Sequence, residues 1–164
     1  MEGLAGFALT QLLDGLWDPQ RTLRALLRVL VALCCGALIG YQREQVGKAA
    51  GLRTHIIVAG GAAVAVAAAF ESDMGDDALS RVIQGLLTGV GFLGAGAILK
   101  LREELDVRGL TTAAGIWMTC AIGVAAGLGR FAIAILATAA TWYVLNSLQA
   151  WERRNGDEDA DRAP

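Results

Sequence analysis

Charge is what this chain has least of. Only 18% of its 164 residues are Asp, Glu, Lys or Arg, while 55% are hydrophobic; a soluble domain carries about a quarter charged residues. The net charge of −2 comes with no basic stripe, which argues against a nucleic-acid partner. There are 2 prolines and 3 cysteines. Cys34 and Cys35 are adjacent and Cys120 is distant, so they make neither a disulfide framework nor a spaced metal knuckle. All three lie in apolar runs, where cysteine behaves as a small hydrophobe. Also missing are a serine nucleophile elbow, a zinc triad and a phosphate loop with its lysine. No carboxylate lies deep in an apolar run to serve a midplane proton relay. The expectation is a protein that is not an enzyme and holds no cofactor or metal.

What the chain does have is apolar length. A helix needs about 20 mostly apolar residues to cross the hydrocarbon core. Residues 82–99, 109–129 and 131–151 contain no ionisable residue of the Asp, Glu, Lys, Arg or His kind. A shorter Ala-rich run, 54–70, has only His55 near its start, and a first run, 22–41, carries Arg24 and Arg28 on one helical face, able to snorkel to one interface. The pattern predicts an all-α integral membrane protein with about five transmembrane helices over 22–41, 54–70, 82–99, 109–127 and 131–150. Residues 1–21 read as an interfacial segment with Leu4, Phe7, Leu12, Leu16 and Trp17 near one face, or alternatively as a loosely ordered tail. They do not read as a cleaved signal peptide, since no basic region precedes Leu4. Residues 152–164 are charged and read as a disordered tail.

The basic residues suggest an orientation. Arg43, Lys48 and Arg53 fall in one loop, Lys100, Arg102 and Arg108 in another, and Arg153 and Arg154 open the tail. The alternate connections hold Arg81 among Glu71, Asp73, Asp76 and Asp77, and Arg130 near Gly129. The positive-inside rule then puts the N-terminus outside and the C-terminus in the cytoplasm, with Arg21, Arg24 and Arg28 counting against it.

Three stretches carry the functional candidates. The first is Arg81, Gln84, Gly85, Thr88, Gly89, Gly91, Phe92, Gly94 and Gly96. In lipid, helices associate through close packing, which small residues permit, and Gly85 and Gly89 form a GxxxG pair. Each glycine weakens the helix by about 1 kcal/mol relative to alanine, so the glycines need a reason. One is tight packing on the Ala-rich second helix (Ala62, Ala63, Ala65, Ala67, Ala69); the other is a broken helix whose freed backbone lines a site. The second stretch is Lys48, Gly51, Arg53, Thr54 and His55. Here Thr54, like Thr112 in the third stretch, is placed to cap a helix, and the helix start with Lys48 and Arg53 suits an anion such as a phosphate or carboxylate, or an anionic lipid head. His55 reads as an interfacial hydrogen-bonding residue. Glu44, after Arg43, is expected to pair with Arg53, Arg102 or Arg108. The outer acids Glu71, Asp73, Asp76 and Asp77 read as solvated, or as a divalent-cation site.

The third stretch, Arg108, Gly109, Thr111, Thr112 and Trp117, echoes the second. Gly36 leads to Gly51-Leu-Arg-Thr54, and Gly94 leads at the same separation to Gly109-Leu-Thr-Thr112. Two parallel helix hairpins plus a fifth helix is one reading; recurrence by chance in an Ala/Gly-rich chain is the other.

Four blocks in order resemble the MgtC/SapB family of bacterial membrane proteins. They are Gly36-Ala-Leu-Ile-Gly-Tyr-Gln-Arg-Glu44, Ala50-Gly-Leu-Arg-Thr-His55, Gly89-Val-Gly-Phe-Leu-Gly-Ala-Gly96, and Gly109-Leu-Thr-Thr-Ala-Ala114 with Trp117 and Ala121-Ile-Gly123. Together they span roughly residues 23–145. The resemblance implies a multi-pass protein of the inner membrane tied to magnesium homeostasis and growth in low magnesium, associated with virulence in pathogens, and more like a regulator than a transporter. It implies as partners the lipid bilayer, a second copy or another membrane protein, with the F-type ATP synthase proposed for the founding branch. Two departures bear on this. Many members have Asp-Pro-x-Arg before the glycine helix, where Ala78 here replaces the aspartate three before Arg81. The founding branch adds a folded cytoplasmic C-terminal domain, and this chain reads as a short form without it. The rival class of function is a small ion transporter or channel, with Gln84, Thr88, Thr119 and Cys120 near a polar path.

Overall fold

The computed structural model describes Gly6 and residues 18–72, 75–100 and 107–160. The described chain forms five long helices: α1 (Pro19–Gln45), α2 (Leu52–Glu71), α3 (Asp76–Gly96), α4 (Leu110–Gly127) and α5 (Phe131–Ala160). The first four are long and apolar enough to cross a membrane, and α5 is apolar over Phe131–Ser147. The all-α membrane architecture is as the hydropathy implies. A two-residue antiparallel pair, β1 (Leu99–Lys100) and β2 (Val107–Arg108), joins α3 to α4. Residues 1–5 and 7–17 of the expected interfacial segment lie outside the described residues, and 19–21 belong to α1.

Helix boundaries follow local chemistry. Asp18 caps α1 through bonds from the Gln20 and Arg21 amides at 3.1 and 3.2 Å, with Pro19 in the first turn where its missing N–H costs nothing. Asp76 and Asp77 occupy the first turn of α3, where acids favour the helix dipole, so that helix starts ahead of the purely apolar run. α4 stops in a left-handed Gly129 (φ 74°), whose amide and that of Arg130 bond back to Ala126 and Ala125. α5 continues through residues 152–160, which the charge pattern had placed in the disordered tail. Extending an existing helix costs far less than nucleating one.

The core is built on close backbone approach. α2 presents an alanine rail of Ala59, Ala62, Ala63 and Val66, all buried. On one side α1 meets it through Gly36 and Gly40: a Cβ at Gly36 would lie 2.6 Å from the His55 carbonyl oxygen, and one at Gly40 2.8 Å from the Leu52 Cα. On the other side α4 meets it through Gly123 and Gly127. A Cβ at Gly123 would collide with the Ala59 carbonyl oxygen, and one at Gly127 would lie 2.8 Å from that of Ala63. These are two GxxxG pairs, Gly36/Gly40 and Gly123/Gly127, and they clamp α2 between α1 and α4.

The glycines of α3 do something else. The expectation that they pack tightly on the Ala-rich helix fails: Gly85 and Gly89 face Gly61, Ala62 and Ala65 of α2 only across an open groove. Among the described residues a Cβ at Gly85, Gly89, Gly91 or Gly96 would meet nothing within 4 Å, and of these α3 glycines Gly94 alone approaches a neighbour, Ala113 of α4 at 3.5 Å. Gly94 sits as far before Ala113 as Gly36 does before His55, so the α1–α2 and α3–α4 hairpins share this contact. The broken-helix reading also fails, since α3 is continuous from Asp76 to Gly96. At the opposite end of the bundle Arg28 lies over the Phe70 ring at 4.7 Å and reaches the Gly129 turn, tying α1 to α2 and α4.

Gly123→Leu is therefore expected to destroy the fold, overpacking by about 1–3 kcal/mol or more. Gly85→Ala, facing open space, is expected to leave the unfolding midpoint in detergent unchanged or slightly raised. Equal losses for the two variants would refute this division of the glycines.

Candidate functional site

Polar side chains concentrate where α1 turns into α2. The turn is a Schellman motif: Gly47 is left-handed (φ 67°), its amide bonds the Glu44 carbonyl at 3.0 Å, and the Lys48 amide bonds that of Arg43 at 3.0 Å. This short reversal brings the end of α1 against the start of α2. The Glu44 carboxylate then accepts a 2.7 Å hydrogen bond from the Leu52 amide. Glu44 thus fills the N-terminus of α2 with a negative charge of the chain's own. It was expected to form ion pairs with Arg53, Arg102 or Arg108. Its carboxylate turns to the backbone because the turn leaves that amide in reach; Arg102 lies outside the described residues.

The helix caps differ from expectation in a related way. Gly51 and Gly109 are the N-caps of α2 and α4, and Thr54 and Thr112 lie one turn inside. A glycine is required at 109, where φ is 100° and any Cβ would strike the Ala97 carbonyl oxygen. Released from capping, the Thr112 hydroxyl accepts a 3.2 Å hydrogen bond from the guanidinium of Arg43. Arg43 is 2% exposed, and its Nε is buried with no hydrogen-bond partner among the described residues. Beside it, Gln42 bridges to Asn146 of α5 at 3.4 Å.

His55 lies deeper still. It is fully buried, pressed between Gly36 and Gly40 of α1 and facing Gly115 of α4. Neither ring nitrogen has a hydrogen-bond partner among the described residues. Thr54 is half-buried and Arg53 exposed.

A cleft of about 400 Å³ opens at this end, lined by Arg43, Lys48, Arg108, Gly109, Thr111 and Thr112 among others. It joins Lys48 of the second candidate stretch to Arg108, Gly109, Thr111 and Thr112 of the third, while Gly51, Arg53, Thr54, His55 and Trp117 do not line it. The first stretch is elsewhere. Arg81, Gln84, Thr88 and Phe92 are exposed on α3, Phe92 at 83%. Gly85 and Gly89 line an apolar groove of about 530 Å³ between α2 and α3, with Gly61, Ala62, Ala65 and Cys120. Trp117 is exposed on α4. The imagined polar path is not assembled. Gln84 and Thr88 do not line the groove that Cys120 lines, and the Thr119 hydroxyl bonds back to Gly115 of its own helix at 2.8 Å. Among the described residues no cluster of His, Cys, Asp or Glu is arranged to hold a metal ion, and Asp73 lies outside them. Neither the Gly123/Gly127 pair nor the Arg43–Thr112 bond belongs to the three candidate stretches. The first was signalled by its GxxxG spacing; the second had no local signal.

The glycine clamp, Arg43 and the Gly-Leu-x-Thr helix starts all fall within the stretch that a family model matches. The MgtC family model matches residues 29–154. This chain belongs to the MgtC family. It is 38% identical to the protein SrpB of Synechococcus elongatus, over 77% of this chain and 81% of that protein. It is 44% identical to the protein MgtC of Salmonella typhimurium, over 69% of this chain and 47% of MgtC. It is 40% identical to the putative magnesium transporter YhiD of Escherichia coli K12, over 71% of this chain and 56% of YhiD. The chain thus spans about half the length of MgtC and YhiD and most of that of SrpB. No solved structure matches it.

Removing the Glu44 carboxylate should loosen the start of α2. Glu44→Ala is expected to cost about 0.5–2 kcal/mol, the usual worth of a capping oxygen, read as a lowered unfolding midpoint in detergent. Glu44→Gln, which keeps an acceptor, should recover part of it. An unchanged midpoint for Glu44→Ala would show that the bond does not matter.

Proposed function

We propose that this protein is a non-enzymatic regulator in the bacterial inner membrane, linked to magnesium homeostasis and growth in low magnesium, which acts by seating a partner's membrane helix against α3. The observation that carries the reading is the unused glycine surface. Gly85, Gly89, Gly91 and Gly96 weaken α3, yet among the described residues nothing uses the space they leave. Lipid tails gain nothing from glycine, whereas a second helix gains close contact. The partner is a second copy of this chain or another membrane protein, and family resemblance makes the F-type ATP synthase a candidate. The magnesium link rests on family membership and on the name of YhiD. In this reading the basic cleft faces the cytoplasm and the N-terminus the outside, in keeping with the excess of Lys and Arg at that end.

A transporter is the second reading, favoured by one observation: among the described residues His55 and the Nε of Arg43 are buried polar groups short of partners in an apolar bundle, as groups on ion or proton pathways often are.

The double variant Gly85→Leu/Gly89→Leu is expected to reach the membrane folded, because both positions are open. It should lose partner crosslinking in native membranes and fail to restore growth in low magnesium to cells lacking the protein. Normal growth would end the regulatory reading. Gly94→Leu is the less clean probe, because it strikes Ala113. For transport, purified protein in liposomes should show magnesium or proton flux above empty vesicles, lost on His55→Leu; absence of flux removes that reading.

A further inference from the structure

The two cytoplasm-proposed helix starts are not equivalent. The first-turn amides of α2 receive the carboxylate of Glu44. Those of α4 receive nothing from their cap, because Gly109 has no side chain to offer. Yet α4 is the helix whose first turn opens on the basic cleft. Arg43 lines that cleft while itself 2% exposed, and among the described residues its Nε has no hydrogen-bond partner. Burying a guanidinium in this way is costly unless an anion reaches it. Lys48 and Arg108 also line the cleft and are exposed, and Thr111 and Thr112 add hydroxyls. Among the described residues that line it, none is acidic. Cations from α1, the α1–α2 turn and β2 therefore converge on one helix N-terminus.

We infer that this cleft binds a phosphate group, held by Arg43, Lys48, Arg108 and the first turn of α4. A tetrahedral oxyanion suits the set: the planar arginine fork takes two oxygens, the lysine supplies a mobile point charge, and the hydroxyls and backbone amides of the helix start donate to the rest. The group is either free inorganic phosphate or the headgroup of an anionic lipid, since the cleft lies at the end of the bundle where headgroups meet it. The inference does not depend on α3 having a partner.

The full chain in nanodiscs separates the sources. At constant ionic strength, inorganic phosphate is titrated against protein in neutral phosphatidylcholine discs and followed by the unfolding midpoint, which rises when a ligand binds the folded state. In a second arm phosphatidylglycerol replaces part of the neutral lipid. A rise in the first arm assigns free phosphate, and a rise only in the second assigns a lipid head. In either case Lys48→Gln and Arg108→Gln, both at exposed positions, should weaken the response by about tenfold each. Arg53→Gln, an exposed cation outside the cleft, should leave it intact. No rise in either arm overturns the inference, as does a rise that the Lys48→Gln/Arg108→Gln double variant retains or that Arg53→Gln removes equally.

Discussion

Everything in this structure depends on how closely α1 and α4 can approach the backbone of α2. Inside a membrane, large apolar side chains gain nothing by exchanging lipid for one another, so the bundle must be held by dense contact between backbones. Gly36 and Gly40 on one side and Gly123 and Gly127 on the other supply it, each facing a carbonyl oxygen or Cα of α2. α3 reaches the bundle mainly through α4, at Gly94 and Ala113 and through the buried cluster of Val90 with Ile116, Cys120 and Val124. Its remaining glycines are left on an open face.

That clamp also explains the unusual polar groups. His55 is on α2 where the rail begins, and the glycines that let α1 approach leave its ring fully enclosed. Arg43, near the end of α1, is carried inward until it meets Thr112 of α4. A residue whose charge would mark a membrane boundary becomes a tie between helices. Arg28 does the equivalent at the far end against Phe70 and the Gly129 turn. The ends of the bundle are thus pinned by arginines and its middle by glycines.

The spans were legible because hydropathy and length are local properties, and the Gly-Leu-x-Thr starts of α2 and α4 were correctly sited to within a few residues. Which glycine meets which helix was not legible. Gly85/Gly89 and Gly123/Gly127 have the same spacing, and only the tertiary arrangement decides that the second pair is buried and the first open. Thr112 was misread for a similar reason. A threonine at a helix start is a natural cap, but Gly109 takes that position because the Ala97 carbonyl leaves no room for a Cβ. Glu44 was read as an ion-pair partner because charge is visible in a sequence and an orphan amide is not. The Arg43–Thr112 bond joins residues far apart in the chain, beyond the reach of any local pattern.

The open face of α3 and the basic cleft meet at one residue. Ala97 ends α3, lines the cleft, and sets its carbonyl against Gly109 at the start of α4. A change near that junction, at Gly94 or Gly109, alters helix packing and cleft shape together, so loss of function there identifies neither. Gly85 and Gly89 lie two to three turns away on the open face, and Lys48 and Arg108 project from the exposed rim of the cleft. Coupling between two sites is a free-energy difference that each ligand must report on the other. In this bundle the route runs through the packing of α3 on α4, where Gly94 meets Ala113 and Val90 joins Ile116, Cys120 and Val124 in one buried cluster, since α3 touches α2 less and an open groove lies between them.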